Sequence, residues 1–257
     1  MHIRVVSPSA SIEHIGGFEA NLAAKERLEK LGFTVSFSEH YLENDMLGSA
    51  SIESRVADIH AAFSDDSVDA ILATIGGFNC NELLPYLDFE LIARNPKIFC
   101  GYSDTTALLS AIYSKTGMKT YMGPSYSSFK MDALQDYQTE SWLKAVSQTS
   151  YELTPSEKWG DNAWYLPDAP LTFHETEWKV YHHGQAQATA IGGNLSTFSL
   201  LRGTPYAPTD ENYVLFVEEA EEDDYVEFDR NLAALLQAYP NPVSYTHLRA
   251  HETVLDL

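Results

Sequence analysis

An alternation narrows what this chain can fold into more than any other feature. Through the first half, short apolar strand-like runs take turns with helix-like segments, and the junctions are only a few residues long. Ile3 to Val6 reads as a strand closing on Ser7-Pro8-Ser9. Phe18 to Leu31 sets Leu22, Leu28 and Leu31 at helical spacing and stops at Gly32, a residue that ends helices because it accepts left-handed backbone. Phe33 to Phe37 alternates as a second strand, and Ile52 to Phe63 puts Ile52, Val56, Ile59 and Phe63 on one helical face. Ala70 to Ile75 is an apolar strand followed by Gly76-Gly77. Lys97 to Cys100 is another, followed by Gly101-Tyr102-Ser103-Asp104 and a helix from Thr105 to about Lys115. Such alternation predicts an α/β fold, a flavodoxin-like parallel sheet with helices on both faces.

The pattern changes after residue 150. Thr154 to Pro170 is rich in Pro, Trp, Asp and Gly. Strand-like pieces follow at Trp178 to Tyr181 and Gln185 to Ile191, then Gly192-Gly193-Asn194-Leu195 opening a short helix, a strand at Val214 to Val217 and an amphipathic helix from Val226 to Tyr239. The expected organisation is an α/β domain over 1–150, a linker over 151–164, a smaller, incomplete β-rich domain over 165–242, and a tail over 243–257.

Charge and composition restrict partners. A net charge of −21 opposes binding to nucleic acid, whose phosphates need a basic footprint. No apolar run reaches the ~18 residues of a membrane span, and the first residues lack a secretory h-region, which points to a cytoplasmic protein. The two cysteines, Cys80 and Cys100, form neither a disulfide framework nor a metal-ligand pattern, and no cofactor motif stands out. Much of the acidity lies in Glu218-Glu219-Ala220-Glu221-Glu222-Asp223-Asp224, read mostly as a solvated surface. Glu218 directly follows the strand Tyr213 to Val217 and is the member that can point inward.

In an open parallel sheet, ligands bind beyond the carboxyl ends of the strands, where two loops stand out, Thr74 to Asn79 and Gly101 to Thr105. The second resembles a nucleophile elbow, with Ser103 on a sharp strand-to-helix turn and the N–H groups of Asp104 and Gly77 placed to form an oxyanion hole. Ser103 or Asp104 can equally be a helix cap, and the pentapeptide alone favours the cap, since Thr105 stands where the elbow's final Gly is expected. Gly76-Gly77 can equally be a plain tight turn. It lacks the spaced glycines of a dinucleotide site and the lysine of a phosphate loop.

Three blocks resemble the LD-carboxypeptidase family of serine peptidases, and within it the branch of microcin C self-immunity peptidases. They are Ala73-Thr74-Ile75-Gly76-Gly77 through Asn81 to Asp88; Asn95 to Leu108, continuing to Tyr113-Ser114-Lys115-Thr116-Gly117 and Gly123-Pro124; and Ile191-Gly192-Gly193-Asn194-Leu195, Gly203-Thr204-Pro205-Tyr206, then Leu215 to Glu219. With Val6-Ser7-Pro8-Ser9, the likeness covers most of residues 3 to 240. It implies a Ser-Glu-His triad with Ser103 as nucleophile and Glu218 as the carboxylate that orients the histidine, drawn from different domains at an interdomain cleft. It implies a small peptide or peptidyl-nucleotide substrate: a murein tetrapeptide that loses its terminal D-alanine, or an amide joining a peptide or amino acid to a sulfamoyl or phosphoramidate nucleotide. By analogy the family also suggests a homodimer. Trp164 is the candidate to stack on a nucleotide base, and packing at the domain interface is as good an account of it.

Two departures bear on activity. Only His247 and His251 follow Glu218, and neither sits in the family's histidine motif, so the triad histidine is missing. The segment Val243 to Thr253 resembles a translated sequencing adaptor, and the expectation is a non-native tail, a sheet left with uncovered edges and an inactive chain. A family Gly-Arg is also replaced by Gln187-Ala188-Thr189-Ala190. A non-catalytic binding protein on the same fold is the alternative reading. A Cys100 nucleophile is disfavoured, because Cys100 lies inside the strand.

Overall fold

In a computed structural model of the protein, residues 1–160, 171–178, 180, 183–219, 225–240 and 242–249 are described. The chain divides into two compact units, Met1–Tyr151 and Glu152–Leu257.

The first unit runs β1 (His2–Val6), α1 (Gly17–Ala20), α2 (Leu22–Lys30), β2 (Thr34–Phe37), α3 (Ile52–Ser64), β3 (Ala70–Ala73), α4 (Phe89–Arg94), β4 (Ile98–Gly101), α5 (Thr106–Thr116), β5 (Tyr121–Met122) and α6 (Gln135–Ser147). All five strands are parallel, in the order β2-β1-β3-β4-β5. This is the flavodoxin-like arrangement that the alternation predicts. Ile3, Val5, Leu72, Phe99 and Cys100 are fully buried, as expected of strands covered on both faces. The chain leaves β1 toward β2 and then returns across it to β3, so the strand order reverses between β1 and β3. The carboxyl ends of those two strands therefore diverge into a crevice.

Two differences from the sequence-based expectation have clear causes. The helix anticipated over 18–31 is two helices, because the buried Asn21 amide donates to the Gly17 and Ile15 carbonyls at 2.7 and 3.2 Å and breaks the ladder between them. Trp142, which belongs with the other tryptophans by sequence position, is a core residue of the first unit on the unanticipated α6. Its ring meets Phe33 and Phe129 edge-on at 5.6 and 5.3 Å.

The second unit holds an antiparallel pair, β6 (Lys158–Trp159) with β7 (His174–Glu175), followed by β8 (Thr189–Asn194), α7 (Leu195–Ser199), β9 (Tyr213–Glu219), α8 (Tyr225–Ala238) and β10 (Ser244–Arg249). Its main sheet is parallel, in the order β10-β9-β8. After Pro242 the edge of β9 is occupied by a further strand, and β10 and β8 are the edges of this sheet. β10 pairs with β9 from Ser244 opposite Val214 to Arg249 opposite Glu219. The crossover through α8 returns the chain to an edge whose N–H and C=O groups need partners, and an extended segment satisfies them. Part of the strand anticipated at Trp178 to Tyr181 lies outside the described residues, as does Trp164.

Candidate active site

The carboxyl ends of β1, β3 and β4 carry loops that are stitched together. Ala10 N–H donates to the Gly76 carbonyl at 3.1 Å, and Thr74 Oγ1 donates to Ser7 Oγ at 3.1 Å. Tyr126 and Ser127 N–H bond the Ala73 and Thr74 carbonyls, and Gly123 N–H bonds Gly101. Arg55, 2% exposed, reaches up from α3 to the Pro8 carbonyl, the Asn79 carbonyl and amide oxygens, and Glu82.

Ser103 stands at the end of β4 with φ +54°, one of two non-glycine residues with positive φ among the described residues. A left-handed serine costs roughly 1 kcal/mol, and this strained strand-to-helix turn is what aims a nucleophile's hydroxyl outward. Among the described residues no hydrogen bond engages that hydroxyl. Nor does Ser103 or Asp104 cap the helix: neither the turn at Ser103–Thr105 nor the start of α5 has a side-chain cap. The capping alternative is thereby removed. Gly101 accounts for Thr105 in the elbow's last position, since a Cβ on Gly101 would fall 2.8 Å from Thr105 Cγ2. The glycine that makes the close approach possible is at the first position rather than the last.

Gly76 faces the serine directly. A Cβ there would lie 2.7 Å from Ser103 Cβ, 2.8 Å from its Oγ and 3.7 Å from the Asp104 nitrogen. Gly77 has φ +151° and approaches Ser9 so closely that a Cβ would overlap its hydroxyl. Behind the turn, the Asp104 carboxylate is 2% exposed and accepts from Ser9 Oγ at 2.5 Å and from Cys80 N–H at 2.7 Å. This staple between the loops after β1, β3 and β4 was not anticipated from the sequence, where Asp104 counted for its backbone N–H or as a helix cap. Burial, with the Asp104 carboxylate beside it, pushes the Cys80 thiol well up. Burial also pushes Cys100 up to about 12, so neither cysteine supplies a thiolate near neutral pH.

In the second unit Glu218 is half-buried at the end of β9, with its Oε1 shielded from solvent. The alternating face of β9 that packs inward carries Tyr213, Leu215, Val217 and Glu219, while Glu218 is half-buried on the face of Val214 and Phe216. The buried carboxylate is Glu219. It accepts from the Asn194 amide at 3.0 Å and from Ser196 N–H at 3.1 Å. Counting by twos from Leu215 would have found it.

Four of the described histidines have other engagements. His40 Nδ1 lies 2.7 Å from Asp58, His60 Nε2 accepts from Asp88 N–H, His2 bridges Ser36 and Ser67, and His174 stacks on Trp159. Among the described residues no group of three His, Cys, Asp or Glu side chains is placed to hold a metal, and no helix is long and apolar enough to cross a membrane.

Comparison with known proteins follows this geometry. The LD-carboxypeptidase N-terminal domain family matches residues 3–123, and the LD-carboxypeptidase C-terminal domain family matches residues 187–239. The Bacillus subtilis (strain 168) protein named "Putative carboxypeptidase YocD" is 45% identical over 250 residues, 96% of this chain and 75% of its own length. The Escherichia coli microcin C7 self-immunity protein MccF is 32% identical over 240 residues, 85% of this chain and 70% of its own. An MccF-like protein from Bacillus anthracis str. Ames superposes with a TM-score of 0.93 at 43% identity, over 98% of this chain and 79% of that one. MccF has been solved with glutamyl sulfamoyl guanosine and with aspartyl sulfamoyl adenosine, and those structures superpose at 0.89 and 0.88.

Proposed function

This chain belongs to the LD-carboxypeptidase family, and we propose that its site is that of a serine peptidase in which Ser103 attacks the carbonyl of an amide bond. The observation that carries the reading is the Ser103 turn: left-handed backbone, a hydroxyl without a hydrogen-bond partner among the described residues, and the bare Cα of Gly76 against it. In the family's complete triad Ser103 Oγ would add to the carbonyl carbon and pass its proton to a histidine base, a role to which no histidine of residues 1–257 is assigned. The oxygen's new charge is met by the N–H groups of Asp104 and Gly77, at the positive end of α5. The C–N bond then breaks as the base returns the proton to the leaving nitrogen, and water releases the acyl group from Ser103. Glu218 is the carboxylate assigned to orient the base.

The substrate class we favour is an amino acid or short peptide joined by an amide to a sulfamoyl or phosphoramidate nucleotide, with the murein L,D-tetrapeptide second. Likeness to MccF-type structures over nearly the whole chain supports that order. Trp164 remains the candidate for stacking on the base.

We further propose that none of the histidines within residues 1–257 completes the triad, so that these residues bind without turnover. Calorimetric titration with an aminoacyl sulfamoyl adenosine and with the tetrapeptide, beside a turnover assay of wild type and Ser103→Ala, tests this. Binding of the nucleotide with no turnover above Ser103→Ala is expected. Turnover that Ser103→Ala abolishes would support the nucleophile and sink the missing-base assignment. Binding of neither compound would sink the function. Turnover that survives Ser103→Ala would remove Ser103 from the role.

A further inference from the structure

We propose that Phe78 sets the acyl specificity of the site around Ser103, selecting substrates whose acyl group carries an apolar side chain; this rests on Ser103 being the nucleophile. Phe78 is 88% exposed. Its loop is nonetheless held on both sides. Gly76 is bonded to Ala10 at 3.1 Å, Cys80 N–H to Asp104 at 2.7 Å, and the Asn79 amide to Ser49 Oγ at 2.7 Å. The backbone is anchored while the ring stays in water, giving up the stabilisation that burying a phenylalanine supplies. A rigid loop holding an aromatic ring in solvent has the form of a surface that waits for a ligand.

The adjoining turn extends the apolar margin. Asp45 folds it through its own carboxylate and carbonyl, which accept from Leu47 N–H at 2.7 Å and Gly48 N–H at 3.0 Å. Gly48 is tied to Ser11 at 2.8 Å, in the same network of loops. This ordered turn leaves Met46 96% and Leu47 67% exposed.

Position and charge identify the occupant. Phe78 is two residues from Gly76, where a Cβ would lie 2.7 Å from Ser103 Cβ, and next to Gly77, one of the proposed oxyanion donors. An acyl side chain branches from the carbon adjoining the attacked carbonyl, which the proposal directs along this loop. Segments 9–16, 45–49 and 76–82 contain Glu13, Asp45 and Glu82 and, apart from the imidazole of His14 beside Gly48, no basic side chain, on a chain of net charge −21. Arg55, beneath them, is buried and engaged by Glu82 at 3.0 Å. An acidic acyl group such as those bound by the solved relatives finds no free countercharge in these segments, whereas an apolar one finds a ring.

The test compares affinities of wild type, Phe78→Ala and Phe78→Leu for phenylalanyl, glycyl and aspartyl sulfamoyl adenosine. Phe78 is exposed, so neither variant threatens the fold. The phenylalanyl compound should bind wild type most tightly, lose about 10-fold in Phe78→Ala and recover most of it in Phe78→Leu. The glycyl compound should change by less than about 2-fold in any variant. Equal losses for phenylalanyl and glycyl compounds, no loss for either, or tightest wild-type binding of the aspartyl compound would each overturn the assignment while leaving Ser103's role intact. Binding of no compound would remove the proposed function itself. Sedimentation of the same samples covers another occupant: a dimer dissociated by Phe78→Ala with unchanged acyl preference makes this face a contact between copies, and the specificity role fails.

Discussion

Two sheet edges in this molecule use the same parts for different ends. At each, a parallel strand runs into paired glycines, Gly76-Gly77 after β3 and Gly192-Gly193 within β8, and a buried carboxylate ties neighbouring segments together, Asp104 in the first unit and Glu219 in the second. In the first unit Gly76 makes room for a side chain, since what its Cβ would strike is the Cβ and hydroxyl of Ser103. In the second, Gly192 makes room for a backbone: with φ +125°, its Cβ would fall 1.9 Å from the Phe216 carbonyl oxygen. Asp104 braces three loops and leaves the adjacent serine unengaged, whereas Glu219 is consumed in holding the start of α7 through Asn194 and Ser196. The lesson is that a Gly-Gly pair and a buried acid do not by themselves mark chemistry. A strained residue with an unengaged nucleophile does.

The sharpest way to break this contrast is to put a Cβ on each glycine. Gly192→Ala should destabilise the second unit by about 3 kcal/mol or more, because a backbone oxygen cannot move aside. Gly76→Ala, whose backbone conformation suits alanine, should cost only about 1 kcal/mol yet weaken binding of the sulfamoyl nucleotide by roughly tenfold or more. Urea unfolding and titration of both variants would show it, and equal stability losses would erase the distinction.

Removing the acids probes the two staples. Asp104→Ala leaves Ser9 Oγ and Cys80 N–H without their acceptor, and Glu219→Ala does the same to the Asn194 amide and Ser196 N–H, so each should lose about 2–3 kcal/mol. The losses should differ in place. Hydrogen exchange should quicken at residues 76–80 in the first variant and at 195–199 in the second.

Ser103→Gly sharpens the contrast from the other side. Relief of the left-handed serine should raise stability by about 1 kcal/mol, a gain visible in urea unfolding, because this strain serves the site rather than the fold. A destabilised Ser103→Gly would show that the hydroxyl is structural.

The smallest effect concerns pH. The hydrogen bond to Asp58 raises His40 above the ordinary 6.5, against some burial. A raised folded-state value favours the protonated native form, so His40's contribution is fully present below pH 6.5 and fades as the pH rises through the folded value. Burial lowers His60 in the opposite sense, and its contribution is lost as the pH falls through its folded value. Stability of His40→Gln measured against wild type from pH 5 to 9 should differ most at the acid end.

The fold of the first unit was legible because strand burial, helical spacing and short junctions are local properties, and local pattern fixes parallel topology when crossovers have one hand. The Ser103 turn was visible as a candidate but not separable from a cap, since both use the same residues; backbone φ and the absent cap bond separate them. Asp104's partners, Ser9 and Cys80, lie 95 and 24 residues away and no local rule pairs them. The structural role of Glu219 was hidden, because the acidic run masks the two-residue period of β9. The last strand was missed because a sheet edge accepts extended backbone with little regard to its side chains.

The sequence by itself therefore determined the architecture, the family and two loops where chemistry could sit, all of which follow from short-range pattern and ordered motif blocks. Tertiary structure alone decided that Ser103 is held strained and unengaged, that Gly76 exists to face it, and that Asp104 braces the loops around it. Those are contacts between segments distant in the chain, and only packing brings them within hydrogen-bonding reach.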